Sequence, residues 1–159
     1  MAKKIGIIGA GGMLQYHAAG FQEAGAELHA ICDMNQDAAK KAANAYDVPN
    51  IFADSQKMLE ELQDLDAVSI ITPNRSHRPL ALQALQAGKH VFCEKPPGQN
   101  VKQIKDVIAV EKKYPKLKLK YGFNHRYHDS VKDALSVLNN GKLGKVIDIN
   151  AVYGKSKVI

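Results

Sequence analysis

The chain has 159 residues, 45% of them hydrophobic, which is enough for one domain with a real core and short for two. Its two cysteines, Cys32 and Cys93, each lie inside an apolar segment, so buried free thiols in a reducing, cytoplasmic setting are expected in place of a disulfide framework. The N-terminal run MAKKIGIIGAGG is broken by glycines too soon for a signal peptide or a membrane span. A formal charge of +6 raises the question of a nucleic-acid partner. Much of that charge sits in EKKYPKLKLKY (111–121), where Lys116, Lys118 and Lys120 alternate with Leu117, Leu119 and Tyr121. A period of two is that of a strand with one wet face, and outward lysines protect an edge strand from pairing with another chain. The aromatic of this alternation, Tyr121, falls on its apolar side and not among the lysines, so a nucleic-acid partner is not expected.

Strand and helix patterns alternate from the start. KKIGIIG (3–9) reads as a buried strand, and GMLQYHAAGFQEAG (12–25) as a helix. ELHAICD (27–33) and NQDAAKKAANAYD (35–47) repeat the pair, followed by a short strand IFA (51–53) and the helix SQKMLEEL (55–62). DAVSIIT (66–72) is a further buried strand, leading through PNRSHRP into the helix LALQALQA with Gly88 at its stop. HVFCE (90–94), VKQIKDVIAVEKKY (101–114) and LKLKYGFN (117–124) give strand, helix and edge strand. Such repetition predicts a Rossmann-type, doubly wound parallel sheet of the α/β class. Residues 130–144 then read as a helix with a glycine stop, and KVIDINAVYGK (145–155) opens as a strand over 145–153 with no sheet of its own. The expected division is residues 1–124 as the sheet domain and 125–159 as a connecting helix and a lone strand.

IGIIGAGGML places Gly9, Gly11 and Gly12 at the first strand–helix junction. Glycines there let a backbone approach a pyrophosphate, while the helix start offers free N–H groups and a favourable dipole. Against the fingerprint G-x-G-x-x-G, Gly9 and Gly11 match and the third position holds Leu14. Asp33 ends the second strand about twenty residues further on, where an acid accepts hydrogen bonds from an adenosine ribose. A carboxylate there repels a 2′-phosphate, and Met34 and Asn35 supply no arginine to hold one, so NAD is favoured over NADP. Asp33 could instead cap the second helix. S-adenosylmethionine methyltransferases use a similar glycine loop and acid and form a second enzyme class to weigh.

GIIGAGGM, ICD, ITPNRSH, AGKHVFCEKP and YGFNHRY, in this order, resemble the Gfo/Idh/MocA family of NAD(P)-dependent oxidoreductases over residues 3 to about 153. The AGKHV–EKP stretch is the most specific piece. The family acts mainly on sugars, cyclitols and their derivatives, and YGFNHRYHDS is similar to members from nucleotide-sugar and polysaccharide pathways. The resemblance implies that Gly9 and Gly11, with the backbone of Gly12 and Met13, cradle the pyrophosphate, and that Asp33 binds the adenosine ribose. It implies that Thr72, Pro73 and Asn74 lie along the cofactor, with His77 following them. Glu94 would hold the nicotinamide ribose, Lys95 would hydrogen-bond the reacting hydroxyl as the catalytic group, and Asn124 would lie near the nicotinamide. His77 could equally cap or pack its helix. His125 and His128, three apart, lack further ligand types and predict no metal site.

The same resemblance implies a second domain, an open and mostly antiparallel sheet that binds substrate and in many members supplies a catalytic histidine. Only its first strand has a counterpart here, so the expectation is a truncated chain, inactive alone, with strand 145–153 as a seat of self-association. A stand-alone dinucleotide-binding or interaction module is the alternative.

Overall fold

The computed structural model describes residues 1–150. Chain contacts divide it into two compact units, Met1–Gly122 and a second opening at Phe123. The first alternates β1 (Lys4–Ile8), α1 (Leu14–Glu23), β2 (Glu27–Cys32), α2 (Gln36–Tyr46), β3 (Asn50–Phe52), α3 (Ser55–Glu61), β4 (Ala67–Ile70), α4 (Asn74–Gln86), β5 (His90–Cys93), α5 (Val101–Glu111) and β6 (Leu119–Tyr121). The six strands are all parallel, in the order β3-β2-β1-β4-β5-β6. This is the expected Rossmann-like α/β sheet.

Side chains of the central strands are buried to both sides, as parallel sheets require. Ile5 and Ile7 of β1 with Leu28 and Ile31 of β2 pack on one face against Leu14 and Ala18 of α1 and Ala39, Ala42 and Ala43 of α2. Ile8, Ala30, Cys32, Val68, Ile70, Val91 and Cys93 form the other face with Met58 and Leu59 of α3 and Ala81, Ala84 and Leu85 of α4. The small alanines let helix backbones lie close to the sheet. Three helices start on side-chain caps: Asn35, Asp54 and Asn100 each accept an amide hydrogen from the first turn of α2, α3 and α5. The edge-strand reading of the lysine run holds, with Lys120 exposed between Leu119 and Tyr121, which pack on the core.

β1 is flanked by β2 on one side and β4 on the other, so the chain turns in opposite directions from its two edges. The loops after β1 and β4 therefore splay apart above β1 and leave a crevice at the carboxyl end of the sheet. Gly9 turns the first of these loops at φ +109°, and a Cβ there would stand 3.0 to 3.2 Å from Ile71. Its amide donates to the Cys32 carbonyl at 2.7 Å, and Ile71 N–H donates to Ile8 at 2.9 Å, so the ladder continues to the lip of the crevice.

In the second unit a 3-10 turn (Asn124–Tyr127) precedes α6 (Asp129–Asn139), which ends before Gly141 at φ +73°. Residues 145–150, the described part of the expected strand over 145–153, pair with no strand among the described residues. A strand's amides and carbonyls need a ladder partner. Here the hydrogen bonds among the described residues are local, from the Ile149 amide and the Asn150 side chain to Asp148. Residues 151–153 lie outside the described part.

Both thiols are buried, and desolvation, with nearby carboxylates adding to it, pushes Cys32 and Cys93 up to about 12. At pH 8 this leaves on the order of one thiol in ten thousand as the reactive thiolate. A disulfide reagent at pH 8 is expected to leave both unmodified in the native chain and to titrate two thiols in denaturant; rapid native labelling would contradict their burial. Gly9→Ala should lower unfolding stability by about 1–3 kcal/mol through backbone strain, more if Ile71 cannot yield. Gly12→Ala, whose Cβ meets open space, should change it by less than about 0.5 kcal/mol, both read by urea titration.

Candidate functional site

The crevice forms a cleft of about 410 Å³ lined by Gly9 and Gly11 from the first loop, Cys32, Asp33 and Met34 from the end of β2, and Thr72, Pro73 and Arg75 from the loop and first turn after β4. Sequence-expected residues from three separate segments thus meet on one opening. Gly11 has no packing reason to be glycine, since a Cβ on it would touch nothing within 4 Å. The residue lines the cleft. The amides of Gly11, Gly12 and Met13 have no protein acceptor among the described residues, and α1 begins at Leu14 without a side-chain cap. Free amides at a helix start, beside a glycine that leaves room, fit an anionic pyrophosphate. Leu14, at the fingerprint's third position, is buried against the sheet and faces away from this opening.

Asp33 is held rather than free. One oxygen accepts the Ala10 amide at 2.7 Å and the other the Asn35 amide at 2.8 Å. The helix-cap alternative falls away, because the cap of α2 is Asn35, whose side chain accepts the Ala38 amide at 3.1 Å. Each carboxylate oxygen keeps a further lone pair. The group is thereby aimed at the cleft with capacity to accept hydroxyl donors. Thr72 and Pro73 form the opposite wall, where the Ser76 hydroxyl lies 3.0 Å from Thr72 Oγ1 and 2.8 Å from the Pro73 carbonyl. Asn74 is the exposed first residue of α4. Arg75, also on this wall, was not expected; its signal was its place in the first turn of a helix after a sheet strand.

His77 does not reach the cleft. It is buried, with Nδ1 2.9 Å from the Pro96 carbonyl and Nε2 2.7 Å from the Thr72 carbonyl. It ties the loop after β4 to the turn after β5. That turn carries Glu94 and Lys95 at the carboxyl end of β5, with a cis peptide between Lys95 and Pro96. Lys95 is exposed, and its ammonium has no partner among the described residues. Glu94 is enclosed: Oε1 lies 3.0 Å from His17 Nε2, Oε2 accepts the Lys95 amide at 3.2 Å, and a Cβ on Gly122 would stand 2.9 Å from Oε1. Asn124 opens the 3-10 turn of the second unit, outside the set that the first unit brings together. No group of three or more His, Cys, Asp or Glu side chains suited to a metal ion occurs among the described residues.

The family model described as an oxidoreductase family with an NAD-binding Rossmann fold matches residues 3–123. The chain is 31% identical over 160 residues to an inositol 2-dehydrogenase of Gluconacetobacter diazotrophicus, covering 99% of this chain and 48% of that protein. It is 34% identical over 145 residues to a D-glucoside 3-dehydrogenase of Escherichia coli, covering 90% of this chain and 41% of that one. A crystal structure of scyllo-inositol dehydrogenase from Lactobacillus casei, with NAD(H) and scyllo-inositol bound, superposes with a TM-score of 0.84 at 33% identity, over 91% of this chain and 43% of the other. The chain spans about half the length of the curated relatives it matches. It belongs to the Gfo/Idh/MocA oxidoreductase family, and residues 3–123 are its NAD-binding Rossmann domain.

Proposed function

We propose that this chain is the cofactor half of an NAD(H)-dependent dehydrogenase that interconverts a secondary alcohol and a ketone on a sugar or cyclitol. The observation that carries the reading is the Asp33 carboxylate, fixed by the Ala10 amide on the same cleft that Gly9 and Gly11 line. In this reading the backbone of Gly9, Gly11, Gly12 and Met13 holds the pyrophosphate and Asp33 accepts from the adenosine ribose. Its negative charge disfavours the 2′-phosphate of NADP. Thr72, Pro73 and Asn74 flank the cofactor, and Glu94 receives the nicotinamide ribose.

Bound nicotinamide supplies the hydride acceptor for oxidation of the alcohol. Lys95, exposed beside Glu94 and with an unengaged ammonium among the described residues, is the group assigned to the substrate. It hydrogen-bonds the reacting hydroxyl and stabilises negative charge that develops on that oxygen as the carbonyl forms. Asn124 is assigned to the nicotinamide end. Positioning of the substrate and exclusion of water require further walls, so turnover is assigned to this chain together with a substrate-binding domain.

The relatives named above are inositol and glucoside dehydrogenases, which weights the substrate class toward cyclitols and glucosides over nucleotide sugars. No helix among the described residues is long and apolar enough to cross a membrane. The two buried thiols support a reducing, cytoplasmic setting. The lysines of the edge strand are assigned to protecting that edge and not to nucleic acid. Exposed Val146, Ile147 and Ile149 favour self-association or docking of a further domain along the C-terminal segment.

Calorimetric titration tests the cofactor assignment. NADH should bind saturably and more tightly than NADPH. Asp33→Ala should weaken NADH about 10- to 100-fold, the scale of hydrogen bonds to a charged acceptor. Gly11→Val should abolish binding while the thermal midpoint stays within about 2 °C, because its side chain enters open cleft and not the core. No saturable NADH binding at millimolar concentration, with the fold intact, would refute the assignment.

A further inference from the structure

α1 buries Leu14, His17 and Ala18 on one face, so His17 occupies a position of the helix's apolar stripe. β4 likewise buries a hydroxyl, Ser69, within an otherwise apolar run. Burying either polar group costs free energy unless it is hydrogen-bonded. They satisfy each other: His17 Nδ1 lies 2.8 Å from Ser69 Oγ. The other ring nitrogen, Nε2, lies 3.0 Å from Glu94 Oε1. The imidazole is also set against aromatic rings, with its centroid 5.2 Å from Phe92 and 6.5 Å from Phe21. Three segments far apart in sequence thus form one buried row, Ser69–His17–Glu94, running from mid-sheet to the turn that carries Lys95.

The chemistry of the row fixes its direction. A carboxylate can only accept, so the bond to Glu94 requires the proton on His17 Nε2. In the neutral ring Nδ1 is then an acceptor, and the Ser69 hydroxyl donates to it. Ser69 is fully buried, so the row ends inside the sheet and offers no path for a proton to water. Its role is therefore orientation. Gly122 closes the remaining side of Glu94, since any side chain there would meet Oε1 at 2.9 Å. With one oxygen taken by the ring and the other by the Lys95 amide, the carboxylate cannot turn.

We infer that His17 is a positioning residue of the cofactor site: locked by Ser69, it donates from Nε2 and holds Glu94 in the orientation that receives the nicotinamide ribose. This rests on the ribose-binding role assigned to Glu94 above. His17 touches neither cofactor nor substrate; it acts through Glu94.

A double-mutant cycle read by NADH affinity tests it, with thermal midpoints as the control for folding. His17→Leu should weaken NADH binding about tenfold, the order expected for loss of a hydrogen bond to a charged group. His17→Gln, whose amide nitrogen can stand where Nε2 does, should recover affinity to within about threefold of wild type. In a Glu94→Ala background His17→Leu should change affinity less than about twofold, because its hydrogen-bond partner is already gone. Equal tenfold losses in both backgrounds, or no recovery with Gln, would overturn the inference. Should His17→Leu fail to fold, nitrogen-15 NMR of the cofactor-free wild-type chain decides: a proton on His17 Nε2 supports the inference, and a ring protonated at Nδ1 alone overturns it. A wild-type chain that shows no saturable NADH binding removes the functional reading and the positioning role with it. Binding by wild type with additive substitution effects removes the positioning role alone.

Discussion

The bond from the Ala10 amide to the Asp33 carboxylate, 2.7 Å long, joins the two features on which a dinucleotide site at this sheet depends. It fastens the loop after β1 to the end of β2. The neighbouring bond from Gly9 N–H to the Cys32 carbonyl, at 2.7 Å, fastens the same two segments one residue earlier. Together they keep the amides of residues 11–13 facing outward and the carboxylate at the cleft mouth. Gly9 makes this possible, because only glycine adopts its φ of +109° so close to Ile71 without strain. The loop is then preorganised, and little conformational entropy remains to be lost when an anion docks on it.

Two buried histidines link segments at the carboxyl end of the sheet. His77 spans the Thr72 and Pro96 carbonyls, and His17 spans Ser69 and Glu94. One histidine couples the loop after β4 to the turn after β5; the other couples α1 and β4 to that same turn. Both spend their ring nitrogens on protein partners. The residues they support, Thr72 and Pro73 after β4 and Glu94 and Lys95 after β5, lie at strand ends, where a parallel sheet collects groups from distant segments.

The regular elements were legible because each is short, uniformly apolar on its buried side and punctuated by glycine or an Asn or Asp cap. Strand ends were read too long: the expected 66–72 became Ala67–Ile70, since Thr72 already belongs to the turn that His77 holds. Gly9, Gly11 and Asp33 were legible because their spacing is local and tied to one strand–helix–strand unit. The row Ser69–His17–Glu94 was not. Its members are 52 and 77 positions apart, and a lone histidine on an apolar helix face gives no sign of what it meets. Nor was the outcome at 145–150, whose alternation suits a strand but which has no ladder partner among the described residues.

In the proposed function the open amides after β1, beside a carboxylate fixed by Ala10, form the pyrophosphate and ribose site of NAD. Hydrogen exchange of the Gly11, Gly12 and Met13 amides, followed with and without saturating NADH, tests it at the atoms concerned. Marked slowing of exchange at these positions on adding NADH is expected. Exchange there that is the same with and without the cofactor would contradict it.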